Sequence, residues 1–177
     1  MLYGFKDREL NEECGVFAIW GHENAAHLAY YGLHSLQHRG QEGAGIAVTD
    51  GETLRFHKNT GLVNDVFTRA ALDDLKGYAA IGHVRYSTQG ESNYANVQPL
   101  VFRSQTDALA IAHNGNLVNA HALRTQLESQ GSIFQTTSDT EVLAHLIKRG
   151  RGSNFIEKVK RALRMLKGAY AFVLLTE

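Results

Sequence analysis

The segment Cys14-Gly15-Val16-Phe17-Ala18-Ile19-Trp20 is an apolar run of strand length that directly follows a polar, charged leader over residues 1–13. We expect a β-strand here, beginning at the chain's one cysteine. A cut between Glu13 and Cys14 would give Cys14 a thiol beside a free α-amino group, which together make a nucleophile with its own base. The alternative is an inert cysteine of the core.

The composition is that of an ordinary globular protein with one domain. Of the 177 residues, 44% are hydrophobic and 20% are charged, and 18 basic residues balance 18 acidic ones. Zero net charge argues against a nucleic-acid or acidic-membrane partner, because binding phosphates requires clustered cations. No apolar run approaches a membrane span of about 20 residues, and the leader lacks the apolar core of a secretory signal. We therefore expect a cytoplasmic protein.

Hydrophobic periodicity and turn residues divide the chain into strands and helices. The predicted strands are 14–20, 45–49, 53–57, 78–86, 100–103, 107–113 and 169–175. The predicted helices are 24–38, 63–75 in one or two pieces, 119–130, 138–150 and 154–166. Because the elements come in groups rather than in strict alternation, we expect an α+β fold in which helices cover antiparallel sheets.

Several local features belong to this prediction. Asp50-Gly51 indicates a hairpin turn, the stretch 39–45 a glycine-rich loop, and Ser138 with Glu141 a capping box. The wholly apolar run 169–175 indicates a buried central strand. Because the chain ends just beyond that run, we expect the domain to be incomplete at its C-terminus and its unpaired edge to impair folding or promote aggregation.

Two arginines beside glycines are candidates for binding carboxylates. Arg39 has room among the glycines that follow it to reach a buried carboxylate, although a helix end with a turn would give the same pattern. Arg85 lies near the end of a predicted strand, where it could clamp a ligand carboxylate with two hydrogen bonds beside the Thr88 hydroxyl. The alternative is an edge-strand arginine in a surface ion pair.

Two further polar sites follow the middle of the chain. Asn114-Gly115 after a strand indicates a tight turn, but it could also aim a side-chain amide and a backbone N–H at one point, as in an oxyanion hole. Asp139 either interacts favourably with a helix dipole or accepts the α-ammonium group of a ligand.

His34 and His38 are spaced as two metal ligands on a helix can be. No third ligand is indicated, so we expect no metal site.

Taken in order, segments 14–17, 34–45, 82–90, 113–117 and 138–141 resemble the glutaminase domain of class II, or N-terminal-nucleophile, glutamine amidotransferases. The resemblance covers essentially the whole chain. Within that class the chain is most similar to the amidophosphoribosyltransferase family, on the stretches Ser35–Gln41 and His83–Tyr86 and on the leader before Cys14. That leader resembles the cleaved propeptide found in one type of the family.

The resemblance implies a four-layer αββα sandwich of the N-terminal-nucleophile hydrolase fold. It implies a propeptide over 1–13, a glutaminase domain over 14–177 and the absence of the family's phosphoribosyltransferase domain. The roles that it implies are as follows: Cys14 as nucleophile, Asn114 and Gly115 as oxyanion hole, Arg85 with Tyr86 and Thr88 for the α-carboxylate of glutamine, Asp139 for its α-ammonium group, Arg39 for ordering the site, and Glu13–Cys14 as the bond that is cleaved.

The resemblance also implies an activity, namely release of ammonia from L-glutamine for transfer to phosphoribosyl pyrophosphate in the first step of purine synthesis. No cofactor is expected within this segment, whereas full-length relatives use Mg²⁺ and, in this type, often an iron–sulfur cluster, and are expected to form homo-oligomers. Two alternatives stay open: another class II amidotransferase, such as an aminosugar-phosphate synthase, and a non-catalytic glutamine-binding module.

Overall fold

The computed structural model describes residues 14–86 and 93–177. The strands are β1 (Gly15–Trp20), β2 (Gly43–Thr49), β3 (Leu54–Thr60), β4 (Ala79–Arg85), β5 (Leu100–Arg103), β6 (Ala108–Leu117) and β7 (Gly168–Thr176). The helices are α1 (Ala25–Ser35), α2 (Val63–Val66), α3 (Arg69–Asp74), α4 (Ala120–Ser129), α5 (Thr140–Arg149) and α6 (Phe155–Met165). The predicted order of strands and helices is confirmed.

The strands form two antiparallel sheets, one in the order β1-β4-β2-β3 and the other in the order β5-β6-β7. Strand alternation gives each sheet two apolar faces. In β2, for example, Ile46 and Val48 pack toward α1 and α2, whereas Ala47 packs toward the other sheet. Each face of each sheet must therefore pack against another layer of the protein.

Three apolar clusters form this packing and define four layers. The first cluster lies between helices α1–α3 and the first sheet, and the second lies between the two sheets. The third joins the second sheet to helices α4–α6. The expected four-layer αββα sandwich is confirmed. None of the helices in the part of the chain that the structure describes is long and apolar enough to cross a membrane.

The predicted glycine-rich loop is wrong from Gly43 onward, because β2 begins there. Gly45 lies inside the strand, and a Cβ atom at this position would come within 2.3 Å of the Gln98 carbonyl oxygen. Glycine therefore serves close packing here rather than a turn. The hairpin at Asp50 is confirmed, although residues 50–53 connect its strands instead of the expected 50–52. The Asp50 carboxylate stabilises this turn by accepting hydrogen bonds from the backbone N–H groups of Glu52 and Thr53.

Two other local predictions are wrong. The Glu141 carboxylate accepts hydrogen bonds from the backbone of Gln135 and Thr136 instead of closing a capping box with Ser138. The apolar run in β7 is not a buried central strand: within the described ranges it pairs with β6 alone, and its residues 168–171 are exposed. The apolar sequence of β7 reflects packing of its second half against both neighbouring layers.

Candidate functional site

Cys14 directly precedes β1, which pairs with β4 so that Gly15 lies opposite Val84. The Cys14 thiol donates a long, weak hydrogen bond of 3.7 Å to the Tyr86 carbonyl oxygen just beyond β4. The backbone of Cys14 has φ of 56°, in the left-handed region, where a residue other than glycine costs about 1–3 kcal/mol. The structure thus places the cysteine at a strained strand start rather than inside a strand.

Arg39 orders this strand start. It lies in a 3₁₀ turn over Gln37–Arg39, and its Nε donates a 2.9 Å hydrogen bond to the Cys14 carbonyl oxygen. The next residue, Gly40, lies so close to β4 that a Cβ atom would be 2.7 Å from the Arg85 carbonyl carbon. The alternative of a bare helix end with a turn is therefore incomplete, because the turn also holds the backbone of Cys14.

Arg85 is partly buried at the end of β4, where it lies beside a backbone carbonyl of Asn96 and the carboxylate of Glu42. Its Nη1 donates a 2.9 Å hydrogen bond to the Asn96 carbonyl oxygen. Its Nε lies 3.8 Å from the Glu42 carboxylate, and among the described residues neither of these two atoms has a hydrogen-bond partner. The predicted surface ion pair is thus a partly buried one, whose facing atoms retain unused hydrogen-bonding capacity.

Asn96 links Arg85 to the segment that carries Asp139. Its side chain donates a 2.8 Å hydrogen bond to the Thr137 hydroxyl and accepts a 3.1 Å hydrogen bond from the Thr137 backbone N–H. Because Thr137 is two residues before Asp139, this paired contact brings the candidate carboxylate-binding and ammonium-binding groups into one hydrogen-bonded region.

Asp139 is held in its charged form. Burial opposes ionisation, but hydrogen bonding and charge from His113, together with the backbone N–H groups of Leu117 and Thr140, outweigh burial and lower the pKa of this carboxyl below its ordinary value. One carboxylate oxygen accepts a 3.1 Å hydrogen bond from Leu117, and the other lies 3.5 Å from His113 Nδ1. A partly buried anion of this kind is suited to a cationic ligand group.

Asn114 and Gly115 lie within β6, so the tight-turn interpretation is wrong. Strand alternation places the Asn114 side chain on the same face as Ala112, which packs between the two sheets. Gly115 has φ of 137°, and a Cβ atom there would lie 2.2 Å from the Ala169 carbonyl oxygen of β7. Glycine is required at this position by both its backbone conformation and its close packing.

One contact shows that Cys14 and Asn114 lie at the same end of the sandwich. Val16 of β1 pairs with His83 of β4, and His83 Nε2 lies 3.1 Å from the carbonyl oxygen of His113 in the opposite sheet. Cys14 is two residues before Val16, and Asn114 follows His113 directly. The strand that pairs with the start of β1 is therefore hydrogen-bonded across the sheets to the residue before Asn114.

The remaining predicted residues have mixed outcomes. Tyr86 contributes its backbone carbonyl beside Cys14, and its side chain is exposed. Thr88 and Glu13 lie outside the described residues. Sequence reasoning missed Glu42 and Asn96, although the position of Glu42 beside the Arg39 turn was a usable signal. Within residues 14–86 and 93–177, no group of three His, Cys, Asp or Glu side chains could hold a metal ion.

Acid is expected to destabilise the fold through His83. Burial, joined by the nearby His113 and Arg85, lowers the pKa of His83 from 6.5 to about 3, against the opposing effect of its hydrogen bond to the His113 carbonyl. Between these values the unfolded chain binds more protons than the folded one. The free energy of unfolding therefore falls as the pH falls through this window, by up to about 1.4 kcal/mol per pH unit.

The His83→Gln variant tests that expectation, because glutamine titrates in neither state. Urea unfolding of both proteins, at about pH 7.5 and about pH 5, should show the larger acid-induced loss of stability in the wild-type protein. Equal losses in the two proteins would contradict the assignment to His83.

Comparison with known proteins identifies similar chains. The glutamine amidotransferase domain family matches residues 83–177. The amidophosphoribosyltransferase of Bacillus subtilis strain 168 is 65% identical over 169 residues, which cover 95% of this chain and 36% of that protein. The amidophosphoribosyltransferase of Lacticaseibacillus casei is 57% identical over 169 residues, which cover 95% of this chain and 87% of that sequence.

Two solved structures match the fold. One, of the allosteric regulatory enzyme of purine biosynthesis, has a TM-score of 0.90 and 64% identity over 92% of this chain and 35% of that chain. The other is glutamine phosphoribosylpyrophosphate amidotransferase from B. subtilis complexed with ADP and GMP, with a TM-score of 0.87 and 63% identity over 91% of this chain and 35% of that chain. The present chain thus spans about a third of the length of its B. subtilis relative.

Proposed function

Because the chain belongs to the glutamine amidotransferase domain family and, within it, to the amidophosphoribosyltransferases, we propose that it hydrolyses the side-chain amide of L-glutamine with Cys14 as an N-terminal nucleophile. The observation that carries the proposal is the placement of Cys14 at a strained strand start, joined through β4 and His83 to the strand that contains Asn114.

The reaction follows from the chemistry of these groups. An α-amine titrates at about 7.7–8.0 and a thiol at about 8.5, so the amine of an exposed Cys14 can take the thiol proton near neutral pH. The thiolate attacks the amide carbon, and the Asn114 side chain and Gly115 N–H donate hydrogen bonds to the resulting oxyanion. The amine returns the proton to the departing ammonia, and water then hydrolyses the thioester to glutamate.

Recognition of glutamine rests on its two charged ends. Arg85 binds the α-carboxylate with the N–H groups that Asn96 does not use, assisted by Tyr86 and Thr88. Asp139 binds the α-ammonium group. The lowered pKa of the Asp139 carboxyl keeps that carboxyl ionised at neutral pH. Arg39 keeps the Cys14 backbone in place. A site with one partly buried partner for each charge rejects ligands that lack either charge.

The leader is expected to be removed by Cys14 itself. Thiol attack on the Glu13 carbonyl forms a thioester that water hydrolyses, which leaves Cys14 with a free amine. The left-handed φ of Cys14 supports this step, because φ is defined by the carbonyl carbon before it and the strain disappears when that bond is cut. Intact-mass measurement of the Cys14→Ala variant should therefore find residues 1–13 still attached.

A matched control distinguishes self-processing from an outside protease. Cys14→Ser keeps a hydroxyl nucleophile at the same position, so slow loss of the leader is expected in that variant. Loss of the leader at the wild-type rate in Cys14→Ala would show that another protease cuts the bond. That result would refute self-processing but would leave the glutaminase proposal unaffected.

For the longer protein we propose the family reaction, in which the released ammonia reacts with phosphoribosyl pyrophosphate to give 5-phosphoribosylamine in the cytoplasm. A linked phosphoribosyltransferase domain and Mg²⁺ would be needed for that step, and an iron–sulfur cluster and a homo-oligomer belong to the same proposal. The 65% identity favours this family over an aminosugar-phosphate synthase. A non-catalytic glutamine-binding module would bind glutamine without releasing ammonia, which an ammonia assay detects directly.

A further inference from the structure

The backbone of His113, which leads into Asn114, is held by side chains at both of its polar groups. The ladder between β5 and β6 ends at the pair Leu100 and Ile111, so β5 offers His113 no strand partner. Instead the His113 N–H donates a 2.7 Å hydrogen bond to Gln98 Oε1, and the His113 carbonyl oxygen lies 3.1 Å from His83 Nε2. Two side chains thus replace a strand at this point.

The chemistry of the carbonyl fixes the protonation of His83. A carbonyl oxygen only accepts hydrogen bonds, so His83 Nε2 must carry a proton and donate it. In the neutral ring Nδ1 is then an acceptor, and among the described residues it has no hydrogen-bond partner although the side chain is fully buried. Burying such a group without a partner lowers the stability of the fold. An apolar side chain would fill the space between the sheets without that cost.

The ring of His113 is fixed independently of His83. Its Nδ1 lies 3.0 Å from the Thr140 hydroxyl, and it stacks on Phe172 with ring centroids 4.2 Å apart. These contacts hold the side chain against the second sheet and α5. The His113 carbonyl itself is held from the first sheet, by His83.

We propose that His83 is a positioning residue of the glutaminase reaction, which donates its Nε2–H to the His113 carbonyl and thereby sets Asn114 and Gly115 relative to Cys14. This inference rests on the function proposed above. His83 pairs with Val16 in the strand that begins at Cys14, and its hydrogen bond reaches the residue before Asn114. A displacement of about 1 Å between such groups costs about 10²-fold in rate.

A matched pair of variants separates the hydrogen bond from the volume of the side chain. His83→Gln keeps an N–H donor, whereas His83→Met has a similar size and no donor. In the chain that begins at Cys14, His83→Met should lower kcat for glutamine hydrolysis by about 10²-fold with KM unchanged, and His83→Gln should restore most of this loss. Thermal unfolding of both variants controls for stability.

Equal kcat values in the two variants, or a change confined to KM, would overturn the inference. A second readout does not depend on activity. The backbone N–H of Asn114 belongs to the same peptide as the His113 carbonyl, so its ¹H–¹⁵N NMR signal should move in His83→Met and stay near the wild-type position in His83→Gln. If wild-type protein released no ammonia, the proposed function would fail, while this NMR comparison would still decide whether His83 positions the peptide.

The wild-type protein offers a third check that needs no variant. Ring ¹⁵N NMR should find the proton of His83 on Nε2, as donation to the carbonyl requires. A proton on Nδ1 instead would overturn the inference even if both variants failed to fold.

Discussion

Replacing Cys14 by alanine is expected to lower the rate of glutamine hydrolysis by about 10⁴-fold or more, because the proposed covalent intermediate forms on the Cys14 thiol. The experiment uses proteins that begin at residue 14, so that the leader does not confuse the result. Ammonia and glutamate release are measured at saturating glutamine, and an unfolding curve verifies that the variant is folded.

The serine variant gives the matched control for this prediction. Cys14→Ser keeps the size and position of the side chain but raises the pKa of the nucleophile far above that of a thiol, so it should retain only a small residual rate. If Cys14→Ala kept activity within about tenfold of wild type, Cys14 would not be the nucleophile and the covalent mechanism would be wrong.

Replacing Asn114 by alanine is expected to lower kcat by about 10²–10³-fold with little change in KM, because the lost amide donates its hydrogen bond chiefly in the transition state. The structure supports this expectation through the position of Asn114, half-buried and on the inner face of β6 at the end where Cys14 lies. Initial rates over a range of glutamine concentrations separate kcat from KM.

Asn116→Ala is the matched control for that variant. Asn116 lies two residues farther along the same strand and is exposed, so the same chemical change there should alter kcat by less than about threefold. Equal losses in Asn114→Ala and Asn116→Ala would indicate a general disturbance of β6 and would remove the case for an oxyanion role of Asn114.

The sequence was most informative where side-chain periodicity decides the structure. Alternation and helical stripes placed the strands and helices in the right order, since burying one apolar face is the main constraint on each element. Glycines were misleading, because the same residue serves turns and close packing. Gly45 and Gly115 lie in strands where a neighbouring backbone leaves no space for a Cβ atom, and that neighbour is distant in sequence.

The candidate site divides in the same way. Residues with distinctive chemistry, such as Cys14, Arg85 and Asp139, could be singled out from the sequence. Their supporting contacts could not, because they join segments far apart in the chain. Asn96 bonds Thr137, 41 residues away, and His83 bonds the His113 carbonyl, 30 residues away. A polar residue in an irregular segment carries no sequence signal of such a partner.

The most direct test of the account is the intact mass of the purified chain before and after reaction with a glutamine-like electrophile. We expect a protein that begins at Cys14 and gains one adduct, which maps to Cys14 and which excess L-glutamine prevents. A folded protein with Cys14 exposed as its N-terminus that gained no adduct, or gained one that glutamine did not prevent, would contradict an N-terminal nucleophile acting in a glutamine site.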